Sequence, residues 1–182
     1  KVVSAHGGIY ASHMRSESTG IFTALDELTT IAREAQIPAE VSHLKLSGPV
    51  TWGRADEIIA YLDKARASGL AITHDQYAYT ASSTGISALI DSEFREGGAK
   101  RYQERLADPA TKARMVAEMK ESIARGKRGD YTYAVVANFK AGRRLNGKTI
   151  PQAAKILRGA DTLDDQIETI LEIESRGGAQ GV

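Results

Sequence analysis

The sequence predicts an α/β fold on a parallel sheet, either half of a (β/α)8 barrel or half of an open doubly wound sheet. Three observations predict it. Short apolar runs alternate with amphipathic helical stretches from Gly7 to Tyr77. Histidines recur at His13, His43 and His74, close to the roughly thirty residues that one strand, one helix and two loops occupy. The links between these elements are short, which favours parallel pairing with right-handed crossovers. A complete barrel chain takes about 250 residues, so 182 residues are too few for one.

The first strand is expected over Gly7 to Met14, entered through a glycine pair. It places Ala11, His13 and Arg15 on one face and Tyr10, Ser12 and Met14 on the other. A polar loop, Arg15 to Gly20, leads into a helix from about Thr19 to Gln36, with Ile21, Leu25, Leu28 and Ala32 at helical spacing. The central strand, Glu40 to Lys45, lies between the helix exit Ile37-Pro38 and the turn Gly48-Pro49. Side chains two apart on a strand share a face, so His43 and Lys45 should project together at its end. A loop containing Trp52 follows. The second helix turns Ile58, Ile59, Leu62 and Ala65 inward, and Gly69 ends it as a C′ glycine. Leu70 to Tyr77 is the third strand.

From Tyr79 the pattern changes. Thr80 to Gly85 is a small polar loop, and Gly97-Gly98 opens a charged helix. Asp108-Pro109 sets a cap residue before a first-turn proline, and the helix behind it carries Met115, Met119 and Ile123. Lys127 to Asp130 is a turn, Tyr131 to Phe139 alternates as a strand would, and Leu163 to Ser175 is helical. A further strand is expected to begin near Val182. We divide the chain into a partial barrel, residues 1–90, and an insertion with helices leading to the last barrel strand, residues 91–182.

The hydrophobic share of 42% and charged share of 26% are ordinary for a globular domain. A net charge of +1 gives no electrostatic case for nucleic acid or an acidic membrane. There is no cysteine, hence no disulfide and no thiolate ligand. No apolar run approaches the roughly 18 residues of a membrane span. Lys1-Val2-Val3 lacks an initiator methionine and a signal-type segment, so a piece of a longer protein is expected, with the cytoplasm as its expected compartment. No glycine-rich phosphate fingerprint and no G-x-S-x-G elbow occurs.

Taken singly, each histidine at a strand end can simply hydrogen-bond loop backbone. Jointly, His13 and His43 lie with matching phase on the face where parallel α/β folds bind ligands, and imidazole is the commonest side-chain metal ligand. His74 should turn towards the helical layer and be structural, and His6 should be at the surface. Lys45 either binds a carboxylate or snorkels from a strand end. Tyr77 and Tyr79 either pack or donate phenolic hydrogen bonds. Lys127-Arg128 and Arg143-Arg144 belong to solvated loops.

Several stretches occur in the order of a known family: Gly8-Ile9-Tyr10-Ala11-Ser12-His13-Met14-Arg15, Ser42-His43-Leu44-Lys45, Trp52-Gly53, Asp75 to Thr84, and the Asp108-Pro109 helix. Together they resemble the N-acyl-D-amino-acid deacylases (D-aminoacylases) of the amidohydrolase superfamily. The resemblance implies a metal-dependent (β/α)8 barrel of which this chain covers about the fifth to seventh strands. It implies that His13 and His43 bind zinc and that Lys45 and Tyr77 hold the carboxylate of an N-acyl amino acid. It also implies that zinc activates a water molecule, with an aspartate after the eighth strand moving its proton. The sequence departs from the family at Tyr77-Ala78-Tyr79, where tyrosine-proline-tyrosine is usual. The remaining ligands and the catalytic aspartate are expected before Lys1 and after Val182, so no catalytic residue is assigned here and the segment alone should be inactive. Its expected partners are the substrate and either the rest of the barrel or a second copy of the chain. Alternatives are another amidohydrolase, such as a dipeptidase or cyclic-amide hydrolase, or a non-catalytic half-barrel that associates through its open sheet.

Overall fold

A computed structural model describes residues 1–182 as two compact units, Lys1–Tyr79 and Thr80–Val182. In the first unit a single helical turn, α1 (Val2–Ala5), precedes β1 (Tyr10–Ser12), α2 (Ile21–Ala35), β2 (Ala39–Val41), α3 (Ala55–Ala67) and β3 (Ile72–His74). The three strands form a parallel sheet in the order β1-β2-β3, so each strand pairs with its successor across a helical crossover. Ala11, Glu40 and Thr73 are in register, as are Ser12, Val41 and His74.

Strand alternation makes one face of this sheet apolar. Ala39, Val41 and Ile72 are buried with Ile21, Leu25, Leu28 and Ala32 of α2 and Ile58, Leu62 and Ala65 of α3. The helical spacing of those residues is therefore the pattern of a stripe pressed onto a sheet. Ile59, expected inward, is 55% exposed, because it lies beside the stripe on α3. Between the helices the Tyr61 hydroxyl donates to Asp26 at 2.5 Å and lies 3.1 Å from the Thr29 hydroxyl. The opposite face carries Ala11, Glu40 and Thr73, and the Thr73 hydroxyl donates to the Glu40 carboxylate.

All three strands are shorter than the sequence suggests. The central one ends at Val41, so His43 and Lys45 are outside it. Ser42 and His43 form a turn, and His43 has φ 42°, in the left-handed region that few non-glycine residues enter. His74 does face the helical layer as expected, and Arg66 of α3 meets its Nδ1 at 3.0 Å.

The second unit contains β4 (Thr84–Gly85), the short helix α4 (Ser92–Arg95), α5 (Gly98–Ala107), α6 (Pro109–Arg125), β5 (Val135–Asn138), β6 (Lys148–Thr149), α7 (Ile150–Arg158), α8 (Leu163–Ser175) and β7 (Gln180–Gly181). Its sheet runs β4-β7-β5-β6 with antiparallel pairing. The Asp108 carboxylate accepts from the Thr111 main-chain N–H and caps α6. Met115, Met119 and Ile123 point into a core with Tyr131, Phe139, Ile167 and Ile170. Buried Gln166 is fully used: its carbonyl accepts from Tyr131 N–H at 2.9 Å, and its amide donates to the Asp161 carbonyl at 2.8 Å. Helix α7 was not foreseen. Its signal is the capping box of Thr149 and Gln152 around Pro151. The alternating run Tyr131 to Phe139 is a strand only from Val135 to Asn138, because Tyr131 and Ala134 are buried in the turn before it.

One carboxylate in this unit is poorly matched to its surroundings. Burial pushes the Glu174 carboxyl up from the usual range, only partly opposed by Arg95. A folded-state value above the unfolded one favours the neutral acid. Its stabilising contribution is thus present below the ordinary glutamate range and is lost as pH rises through the shifted value. Glu174→Gln should therefore raise Tm at neutral pH, and the gain should vanish below about pH 4, where the native side chain is neutral too. Thermal unfolding of the two proteins at both pH values checks the sign; an equal gain at both would contradict it.

A candidate metal and carboxylate site

The C-terminal ends of β1, β2 and β3 bring four sequence-predicted residues into one chain of contacts. His13 directly follows β1, and its Nδ1 meets Nε2 of His43, with ring centroids 4.4 Å apart. His43 Nδ1 lies 2.8 Å from Lys45 Nζ. Lys45 Nζ in turn sits 5.5 Å from the centre of the Tyr77 ring, a cation–π arrangement rather than a contact with the hydroxyl. His74 and His6 are outside this cluster.

His43 and Lys45 come together for a different reason from the one expected. They do not project from one strand face. The left-handed turn at His43 swings the chain, and hydrogen bonds from both neighbouring strands hold it. The Ser42 N–H donates to the Ser12 carbonyl at 3.1 Å, and the Leu44 N–H donates to the Asp75 carbonyl at 2.9 Å. The Asp75 carboxylate accepts from the His43 main-chain N–H at 2.6 Å. A carboxylate acceptor on a main-chain donor is a charge-assisted bond, stronger than a neutral one.

Glu17 is the second participant not foreseen. It lies in the loop between β1 and α2, where its Oε1 is 2.5 Å from Lys45 Nζ and 2.8 Å from His43 Nδ1. Glu17 and Lys45 side chains are only 17% and 22% exposed, so this pair is more than a solvated surface contact. The Ser47 N–H donates to the Glu17 carbonyl at 2.7 Å and ties the two loops together. No periodicity marks Glu17 in the sequence; Arg15-Ser16-Glu17-Ser18 reads only as a polar loop. Arg15, two residues earlier, pairs with Glu27 of α2 instead.

Two ring nitrogens facing one point, on neutral imidazoles, are a suitable pair of ligands for zinc. They are not a full set, since zinc takes three or four protein ligands. No group of three or more histidine, aspartate or glutamate side chains in the chain could enclose an ion. No helix is long and apolar enough to cross a membrane.

Comparison with known proteins places this geometry. No protein-family model matches the chain. It is 43% identical over 82 residues to a D-aminoacylase of Alcaligenes xylosoxydans xylosoxydans, a match covering 45% of this chain and 17% of that protein. It is 34% identical over 84 residues to an N-acyl-D-glutamate deacylase of the same organism, covering 46% of this chain and 17% of the relative. A crystal structure of D-aminoacylase, described as defining a novel subset of amidohydrolases, superposes with a TM-score of 0.63 at 25% identity, over 98% of this chain and 28% of that one. At 20% identity, the N-acyl-D-glutamate deacylase of Bordetella bronchiseptica, complexed with zinc and a phosphonate inhibitor, shares the fold with a TM-score of 0.65 over 99% of this chain and 28% of that one. The chain thus resembles a segment of the N-acyl-D-amino-acid deacylases. The parts matched in sequence amount to 17% of the length of either curated relative.

The Asp75 bond offers a direct check on the turn. Asp75→Ala removes the acceptor and should cost about 1 kcal/mol of stability, while Asp75→Asn, which keeps a side-chain oxygen, should cost less than half of that. Denaturant unfolding of the three proteins measures both. Equal costs for the two variants would show that the carboxamide oxygen cannot hold the turn.

Proposed function

We propose that this chain is the later-middle part of a zinc-dependent N-acyl-D-amino-acid deacylase. In this reading β1, β2 and β3 are about the fifth to seventh strands of a (β/α)8 barrel. Residues from about 91 to 182 form an insertion that leads to the last barrel strand. The open edges of β1 and β3 then pair with the parent's other strands. The observation that carries the reading is the facing of His13 Nδ1 and His43 Nε2 beside a lysine, at parallel strand ends of a chain similar to such enzymes.

His13 would hold the ion through Nδ1 and His43 through Nε2. When bound, zinc supplies a Lewis acid for the amide carbonyl and lowers the pKa of a coordinated water. The chain's own further contribution is to the other end of the substrate. Lys45 offers an ammonium and Tyr77 a phenol, a cation and an oriented donor that suit a carboxylate. Lys45 is linked through His43 to the ligand pair, so the carboxylate and the amide carbonyl would be held a few bonds apart. The substrate class supported is therefore an N-acyl amino acid with a free carboxylate. No residue of this chain is assigned as the base, so the segment by itself should show no turnover.

Two measurements on the full-length parent test this. His43→Ala should lower activity at least about a hundredfold together with its zinc content, since even partners behind the ligands cost 10–100-fold when removed. Full activity and full zinc in that variant would end the metal assignment.

Lys45→Met and Tyr77→Phe address the carboxylate. Each should lower kcat/KM about 10–100-fold for an N-acyl-D-amino acid, the equivalent of one charge-assisted hydrogen bond, and only a few-fold for its carboxyl-amidated analogue. Equal losses on both substrates would show that these side chains hold the fold rather than the substrate.

A further inference from the structure

The contacts of Glu17 carry a consequence for His43 that rests on the metal reading for its significance but not for its test. Three atoms form a close triangle: Glu17 Oε1, Lys45 Nζ and His43 Nδ1, separated by 2.5 to 2.8 Å. Their hydrogen-bonding demands conflict. A carboxylate only accepts and an ammonium only donates. Nδ1 can therefore donate to Glu17 or accept from Lys45, and one proton decides between them.

We infer that Glu17 is a positioning residue that keeps the proton of neutral His43 on Nδ1, so that Nε2 presents its lone pair towards His13. The balance of partners supports this. Lys45 already has two other acceptors, the Glu17 carboxylate and the His43 main-chain carbonyl at 3.0 Å. Glu17 is largely shielded from water, and its side chain meets no donor except Lys45 and the ring. A proton on Nδ1 gives the carboxylate a second donor. A proton on Nε2 would instead set the Nδ1 lone pair against a carboxylate at 2.8 Å. Ligating histidines are commonly held in this way, with the far ring nitrogen donating to an acceptor behind it. The Asp75 bond to the His43 main chain holds the backbone, and Glu17 holds the ring.

The test reads the proton directly, with no metal and no substrate. In the 182-residue chain labelled with ¹⁵N histidine, long-range ¹⁵N–¹H correlation spectra distinguish protonated from unprotonated ring nitrogens. Spectra in alkaline buffer, where imidazoles are neutral, report the tautomer alone. His43 should show a protonated Nδ1 and an unprotonated Nε2. Glu17→Ala should move it towards the Nε2-protonated form that free imidazole side chains prefer. Glu17→Gln, whose carbonyl oxygen still accepts, should restore the native pattern, and His74, remote from Glu17, should not change in either variant.

Lys45→Met gives a second discrimination. It should leave the Nδ1 proton in place, because Glu17 then has the ring N–H as its donor. An Nε2-protonated His43 in the native chain would overturn the inference. So would a tautomer indifferent to Glu17→Ala, or one that switches in Lys45→Met, since either assigns the ring to another partner. Failure here leaves the deacylase reading to its own tests on the parent, and failure there leaves the proton placement as measured.

Discussion

The hydrogen bond from the His43 main-chain N–H to the Asp75 carboxylate is the contact on which the site depends. β2 ends at Val41, and the chain must reverse its direction within two residues to bring His43 over the sheet. It does so through a left-handed backbone, a conformation of the kind that is retained only where surroundings over-determine it. Here they do. The peptide groups from Ser42 to Leu44 are bonded alternately to β1 and to the residue after β3. The direction of the His43 ring is therefore set largely by main-chain geometry, and the two crossover helices matter because they fix the spacing of the three strand ends.

The apolar half of the first unit was legible because it obeys periodic rules. Ile21, Leu25, Leu28 and Ala32 repeat at helical spacing, and their burial on Ala39, Val41 and Ile72 follows from it. The thirty-residue recurrence of histidine likewise located the strand ends. The route to the site was not legible. Strand alternation predicted that His43 and Lys45 share a face, and they do meet, but through a turn that no pattern of apolar residues encodes. Glu17 and Asp75 were missed as partners for the same reason. Their roles come from which donors lie unpaired nearby in space, and a polar loop has no period to betray that. In the second unit the opposite lesson holds for α7. Its capping box is a purely local signal that was present in Thr149-Ile150-Pro151-Gln152 and passed over.

The charges of the cluster are arranged around one cation. Lys45 is partly withdrawn from water, which alone would be unfavourable, and Glu17 and the face of the Tyr77 ring offset that cost. The result is a lysine held in one place rather than a flexible surface charge. Such a residue suits recognition of a small anion, since the entropy of fixing its side chain is already lost. Yet it arrives at that task with its charge partly compensated, so a substrate carboxylate would join Glu17 around the same ammonium instead of meeting a bare cation.

Counting donors shows how these demands fit together. An ammonium has three hydrogens. One goes to Glu17 and one to the His43 carbonyl. If the ring nitrogen took the third, Lys45 would have nothing left for a ligand and His43 would direct a proton at the point where an ion must sit. If the ring instead donates to Glu17, the third hydrogen of Lys45 is free and the Nε2 lone pair is exposed. A single proton position on His43 thus prepares the metal side and the carboxylate side together. That coupling gives a physical reason for a glutamate, a lysine and a histidine to be packed so closely at the ends of β1 and β2.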